Sequence, residues 1–382
     1  MTSSTALPVA SSAAAEAPSF LDRLREIAFA SLPRMWSVPQ KRYFFRLRRT
    51  AEGVVSEGLS RRYTAITLIG LAEEAPEVAP RMMGGHSAHD VAQGLVDELP
   101  SVENLGDVAL TLWAARAVGL PDRRAAWDRL AAMTPDVGPH YTVEVAWALA
   151  ALSIDEDAPA RDLRDRLARR LLDAQGGRSA LFPHVIGGRG LRAHVSCFAD
   201  LVYPVHALSY FARATGDRKA LDAATACARR FCELMGAAGQ WWWHYDWRTG
   251  DVVEGYPVYA VHQDAMAPMA LHAVEDAGGP SFRAQVDLGM EWLRSAPELG
   301  GGSLVDDAAG IIWRKVARRE PGKLARSLQA VASAAHPNLR FPGVNALLRP
   351  GAIDHEDRPY HLGWLFYAFP RSRRAARAAG AR

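Results

Sequence analysis

Cysteine is scarce in this 382-residue chain, which has only Cys197, Cys227 and Cys232. An odd number of thiols without metal-ligand spacing excludes a disulfide scaffold and reads as reduced core thiols. Neither sign of charge is in excess. With 45 basic and 42 acidic residues the net charge is +3, too small to call for a nucleic-acid partner. Arginine is heavily preferred over lysine, a bias that follows base composition rather than function. No window approaches the roughly twenty apolar residues of a membrane span. The N-terminal MTSSTALPVASSAAAEAPS has neither the basic start nor the apolar run of a secretory signal. A cytoplasmic protein with no transmembrane segment is therefore expected. Familiar catalytic strings are missing too. GGRG and GGGS lack the strand and the Lys-Ser/Thr of a phosphate loop. There is no Gly-x-Ser-x-Gly elbow and no activated-cysteine signature. No cofactor is expected.

What is present is an ordinary composition, 49% hydrophobic and 23% charged, on a chain long enough for one large domain. The sequence divides into a disordered leader (1–18), a single folded domain (19–370) and a solvated basic tail (371–382). Helical periodicity dominates the domain. After LDRLREIAFASL and a less regular piece, VPQKRYFFRLRRTAEGV, apolar and Arg/Asp-rich amphipathic helices alternate. RRYTAITLIGLAEE, LGDVALTLWAARAVG, YTVEVAWALAAL, FADLVYPVHALSYF and VHQDAMAPMALHAV are of the first kind. HSAHDVAQGLVDEL, RRAAWDRLAAM, ARDLRDRLARRLLDAQ, DRKALDAATACARRF and SFRAQVDLGMEWLRS are of the second. GKLARSLQAVASAA and RPYHLGWLFYAF make a last pair. About six hairpins at roughly fifty-residue spacing are a repeat architecture. Apolar helices suit an inner ring and amphipathic ones an outer ring. The fold class predicted is all-α, an α/α barrel or toroid.

The chain's chemistry concentrates in GQWWWHYDWRTGDVVEGYPVYAVHQDAMAPMAL, residues 239–271. Trp241, Trp242 and Trp243 cannot all face one core, because successive side chains of an extended segment point to opposite sides. At least one should line a cavity. A turn at Thr249-Gly250 predicts a short hairpin. The strings YPVH and YPVY suggest two equivalent repeat junctions, each with its proline in a helix first turn.

The helix alternation and the Gly-x-aromatic junctions resemble the α/α toroid superfamilies over roughly residues 60–370. Those comprise six-hairpin glycosidases with related lyases and epimerases, and the terpenoid cyclase and prenyltransferase toroids. The GQWWWHYD…YPVYAVHQD string also resembles a motif of bacterial toroid proteins. No catalytic signature of a characterised family comes with the likeness. The Asp-x-Asp-Asp string of protonating terpenoid cyclases and a Cys/His zinc set are both missing. Fold alone does not give function.

Read chemically, Asp246 and Asp264 are the candidate acid and base, with His244 and His262 assisting. Trp241, Trp242, Trp243, Trp313 and Trp364, with Tyr203, Tyr245, Tyr256, Tyr259 and Tyr360, offer flat faces for a sugar ring or a carbocation. Asp200, Gln263 and His361 add polar grips. Arg314 and Arg318 share a face if their segment is helical, and can clamp a carboxylate or phosphate. The string DHEDRPYHLGW further supplies Asp354, Glu356 and Arg358. The histidines lack the close spacing of a metal site, so none is expected. Three functions compete. The first is a carbohydrate-active hydrolase, lyase or epimerase on an oligosaccharide, active in polysaccharide or glycoconjugate assembly. A lyase or epimerase would use Tyr or His as base, with Arg holding a uronate. The second is a terpenoid cyclase-like enzyme on an isoprenoid. The third is a non-catalytic scaffold for a glycan or protein. A polar, open pocket favours the first, an apolar closed one the second and a flat face the third.

Overall fold

Two kinds of helix burial set the architecture. Leu105–Ala117 and Thr142–Ile154 are buried on nearly every residue, so no face is left for water. Arg161–Ala174 and Arg218–Glu233 bury only a stripe, such as Leu163, Leu167, Ala168 and Leu171. The first kind must be enclosed and the second must enclose. This computed structural model describes residues 19–155, 161–320, 324–336, 339–341 and 343–380.

Six inner helices pack each on the next and close a ring: Arg61–Leu71, Leu105–Ala117, Thr142–Ile154, Ala199–Thr215, Ala267–Asp276 and Pro359–Ala368. The ring closes between the first and last of these, where Gly70 and Gly363 meet. A Cβ on Gly70 would collide with the Gly363 carbonyl, and one on Gly363 would lie 2.8 Å from the Thr67 Cα. Only glycine allows that approach. N-caps start several helices where the sequence offers a short polar side chain. Ser60, Ser87, Asn104 and Asp217 each accept a backbone N–H three residues on.

Five outer helices follow the expected order: Ala88–Asp97, Arg124–Ala132, Arg161–Ala174, Arg218–Glu233 and Arg283–Ser295. The sixth hairpin differs from expectation. The Leu324–Ala335 helix packs on the Asp251–Glu254 strand, and the N-terminal helix Phe20–Ser31 packs against Pro359–Ala368 instead. The first element of the domain therefore joins the last. This follows from burial: Leu24, Ile27 and Ala28 form a wholly core-facing stripe.

Other departures are local. VPQKRYFFRLRRTAEGV opens a long antiparallel hairpin, Arg42–Thr50 with Gly53–Leu59, and Glu356–Asp357 pairs with Arg42–Thr50 as well. Tyr43 and Leu47 are its buried residues, too few to show a period among the arginines. The expected hairpin at the tryptophan stretch is present, with His244–Asp246 paired to Asp251–Glu254 and Gly250 at φ +84°. The two YPV strings are not equivalent. Pro204 lies inside the Ala199–Thr215 helix, whereas Pro257 precedes the Val258–Tyr259 strand. The leader lies outside the described residues. The tail is not simply solvated: Arg371–Gly380 is helical, and Arg373 and Arg374 pair with Asp276 and Glu74. Among the described residues no helix is long and apolar enough to cross a membrane.

Candidate active site

Five of the six inner helices present their first turns to one hollow of about 330 Å³. Arg62 and Tyr63, Val143, Ala199, His262 and Tyr360 all reach it from such positions. Tyr203, Trp147 and Met266 lie deeper, and the Trp243, Tyr259, Arg314 and Arg358 side chains come from strands and loops around the rim. None of its lining residues is Asp or Glu. Cationic and aromatic side chains face inward, where helix N-termini already favour an anion.

His262 opens the fifth inner helix as a π turn, His262–Met266, closed by the Ala267 N–H on the His262 carbonyl. Pro268 has no N–H for the Asp264 carbonyl, which loosens the ladder at that turn. Such turns recur at functional sites. The imidazole lies parallel to Trp243 at 5.7 Å, with Phe198 at 4.7 Å and Tyr259 at 4.9 Å. Burial pushes its pKa down to about 3, so it is neutral at pH 7. Its Nδ1 is buried and has no hydrogen-bond partner, and the same holds for Trp243 Nε1.

The three guanidiniums are held from behind. Arg62 Nε donates to Asp107 at 2.7 Å and its Nη2 to Asn104 at 2.7 Å. Arg358 Nη2 donates to Glu356 at 2.8 Å, and its Nη1 to the Tyr63 hydroxyl oxygen at 3.0 Å. Arg314 Nη1 reaches Asp354 and Glu356 at 3.3 and 3.2 Å, while its Nε is buried and unpartnered. Arg314 also lies 5.2 Å from the Tyr259 ring centroid. Carboxylates thus fix the direction of each guanidinium without occupying the cavity.

Trp243, Tyr259 and Arg314 are shared with an adjoining chamber of about 410 Å³, lined also by Tyr256, Lys315, Arg318, Glu320 and Arg326. Arg318 is the more constrained of the expected arginine pair, bound to Glu254 at 2.7 Å. Arg314 precedes and Arg318 ends a strand, Lys315–Arg318, so the segment is not a helix, and a bulge lies before Arg318. A larger hollow, about 880 Å³, lies elsewhere, along the outer Arg161–Ala174 helix. Two of its arginines are engaged: Arg166 pairs with Asp136, and Arg170 donates to the Pro135 carbonyl.

The other sequence candidates divide by location. Trp241 is core, parallel to Phe198, and Trp242 packs edge-on to Tyr256. Of the triplet, Trp243 lines the cavity, and His244 touches it at 5.2 Å. Neither expected carboxylate is on the lining. Asp246 is fully buried under a two-point grip from Arg248, at 3.0 and 2.8 Å. Asp264 is fully buried against His361 Nε2, at 2.7 and 2.9 Å. Burial, the largest single influence, would lower the His361 pKa, but the charge and hydrogen bond of Asp264, with the Asp357 charge, together outweigh it and the net direction is up. Gln263 donates to the Tyr259 carbonyl. Tyr245, Trp313 and Trp364 are buried away from the cavity, and Asp200 lies one residue behind its wall.

Arg62, Tyr63 and Trp147 were not singled out from the sequence. A usable signal existed: Arg62-Tyr63 follows the cap Ser60 in the first turn of an apolar helix, as Tyr360 follows Pro359. Mouth residues sit at such starts.

Comparison with known proteins agrees on architecture. No family model matches the chain, and no curated protein matches its sequence. Solved structures do match. In fold, the chain is an α/α toroid. It is similar to an unsaturated glucuronyl hydrolase specific for heparin, with TM-score 0.60 at 12% identity over 94% of this chain and 98% of that one. It is also similar to a cellobiose 2-epimerase from Bacillus thermoamylovorans, with TM-score 0.59 at 10% identity over 92% and 99%. A third is a possible GH105 member from Salmonella enterica, with TM-score 0.55 at 10% identity over 97% and 100%. At these identities the likeness establishes the fold alone.

Proposed function

We propose that this protein is a carbohydrate-active enzyme that abstracts the proton next to the carboxylate of a uronic acid unit in an acidic saccharide, as a lyase or an epimerase. The observation that carries this reading is the cavity wall: three arginines, four tyrosines and one histidine, with no carboxylate. A carboxylate-pair glycosidase needs two acids flanking the bond, and Asp246 and Asp264 are both committed elsewhere. Arginines that neutralise a uronate carboxylate make the neighbouring C–H more acidic and stabilise the enolate-like anion formed on proton loss. Arg314 and Arg358 are assigned that role, with Arg62 as a further cation. His262, neutral and with a free Nδ1, is assigned as the base. A bound anion would raise its affinity for a proton. The Tyr63 hydroxyl, held by Arg358, is assigned as a proton donor. Trp243 and Trp147 give faces for the pyranose ring. The guanidiniums count against an isoprenoid, and the depth of the hollow against a flat scaffold. Among proteins of similar fold, one is named for a glucuronyl substrate and another for epimerisation.

The test is incubation with uronate-containing oligosaccharides in D2O. Deuterium uptake at the carbon bearing the carboxylate, or ultraviolet absorbance from an unsaturated uronate, is expected. Cleavage of neutral glycosides with no solvent exchange would overturn the proposal.

A further inference from the structure

We propose that His184, Cys197 and Asp200 form a binding site for a zinc-class divalent metal at the rim of the cavity. One ligand atom from each of the three lies within 4.8 Å of the others. Zinc bonds of about 2.0–2.3 Å in a tetrahedron place ligand atoms roughly 3.3–3.8 Å apart. Modest side-chain rotation closes the difference.

A further observation fits a cation site. Asp200 is fully buried, yet only one of its oxygens is used. Oδ2 accepts the Cys197 N–H at 2.7 Å and meets His184 Nδ1 at 2.9 Å, while Oδ1 is buried without a partner. Across the strand ladder His244 stands directly opposite Cys197, and opposed residues share a face. The Nδ1 of His244 is likewise buried and unpartnered. Its ring nitrogens lie outside the 4.8 Å group, so the fourth position falls to water or a substrate oxygen. Half of the His184 side chain is exposed, which gives an ion a way in.

The donor chemistry selects the metal. A thiolate, an imidazole and a carboxylate suit zinc or a neighbouring first-row ion, not magnesium or calcium. The backbone N–H of Cys197 already orients the Asp200 carboxylate, as outer hydrogen bonds do at metal sites. The Cys197 thiol must lose its proton to ligate, so uptake releases a proton to solvent. Cys197 and Asp200 stand three residues apart around the start of the Ala199–Thr215 helix, and His184 comes from the preceding loop. Ala199, between Cys197 and Asp200, lines the cavity, so the ion would border the sugar site.

The experiment uses the full chain after chelation, titrated with cobalt(II). One equivalent with a thiolate-to-cobalt charge-transfer band is expected, displaced by zinc. Cys197→Ser should abolish the band, and Cys232→Ser should keep it. His184→Ala, at a half-exposed position that leaves the core intact, should weaken cobalt affinity at least ~10-fold. Circular dichroism checks each fold. Absence of the band in the unaltered chain, or equal affinity in His184→Ala, would overturn the site. The readout is metal binding, so the outcome is independent of the proposed sugar chemistry.

Discussion

The two ends of the barrel each hold a buried histidine among aromatics, and they differ in one respect. At the mouth, His262 stacks on Trp243 with its Nδ1 unpartnered. Deeper along the Ala199–Thr215 helix, His206 lies parallel to Trp113 and meets the Tyr367 hydroxyl at 3.0 Å, and Tyr367 in turn donates to Tyr210 at 2.7 Å. Burial pushes both histidines down to about 3. Their protonation is alike, but their hydrogen bonding is not. The deep histidine is paired within its network, although the neighbouring Trp364 Nε1 has no partner. The mouth keeps open positions at His262, Trp243 and Arg314. An unsatisfied buried polar atom is costly, so a ligand at the mouth would gain by completing these three.

The contrast can be broken in graded ways. Arg314→Ala should have the largest effect, lowering turnover of an acidic saccharide by ~10²–10³-fold through lost charge stabilisation. Steady-state kinetics on the folded variant measure it. His262→Ala should cost ~10²-fold in turnover, the lower part of the range for a lost general base. His206→Ala should leave turnover per folded molecule unchanged and lower the melting temperature. Equal loss of turnover in the two would erase the distinction between the ends. Asp264→Asn should destabilise by about 2 kcal/mol, since it removes the charge paired with buried His361, and should spare activity below the melting transition.

The pH dependence follows from the same two histidines. Their ordinary value is 6.5, and in the folded chain it falls to about 3. Below pH 6.5 the unfolded chain binds protons that the folded chain refuses, so stability present above pH 6.5 is lost as pH falls toward 3. His361 has the opposite sign. Its pKa is raised, so its contribution is present at low pH and is lost as pH rises through the shifted value. Melting temperature against pH should fall on the acid side, and His206→Gln should flatten that fall. Tyr367→Phe removes the hydrogen bonds to both Tyr210 and His206 and should cost about 2 kcal/mol, with no change in turnover.

Much of the fold was legible because helix periodicity is local. Whether a segment such as Thr142–Ile154 is apolar all round or striped like Arg218–Glu233 is written in the order of its residues. Inner and outer rings followed from that, as did the hairpin at Gly250 and the argument that three adjacent tryptophans could not share one core. The pairing of the first helix with the last was not legible, because both Phe20–Ser31 and Leu324–Ala335 carry an apolar stripe. Only packing chooses between two stripes.

The site was legible as a neighbourhood and not as a set of roles. Residue type alone suggested that Asp246 and Asp264 were free acids. Arg248 and His361 claim them, and the latter is 97 residues away. The sequence alone determined that the chain builds a helical ring with aromatic, basic and histidine residues near its junctions, since each of those features is set by neighbours within a few turns. Tertiary structure alone decided which charges are already neutralised and which face the hollow, because a side chain's chemistry depends on the groups that closing the ring brings against it.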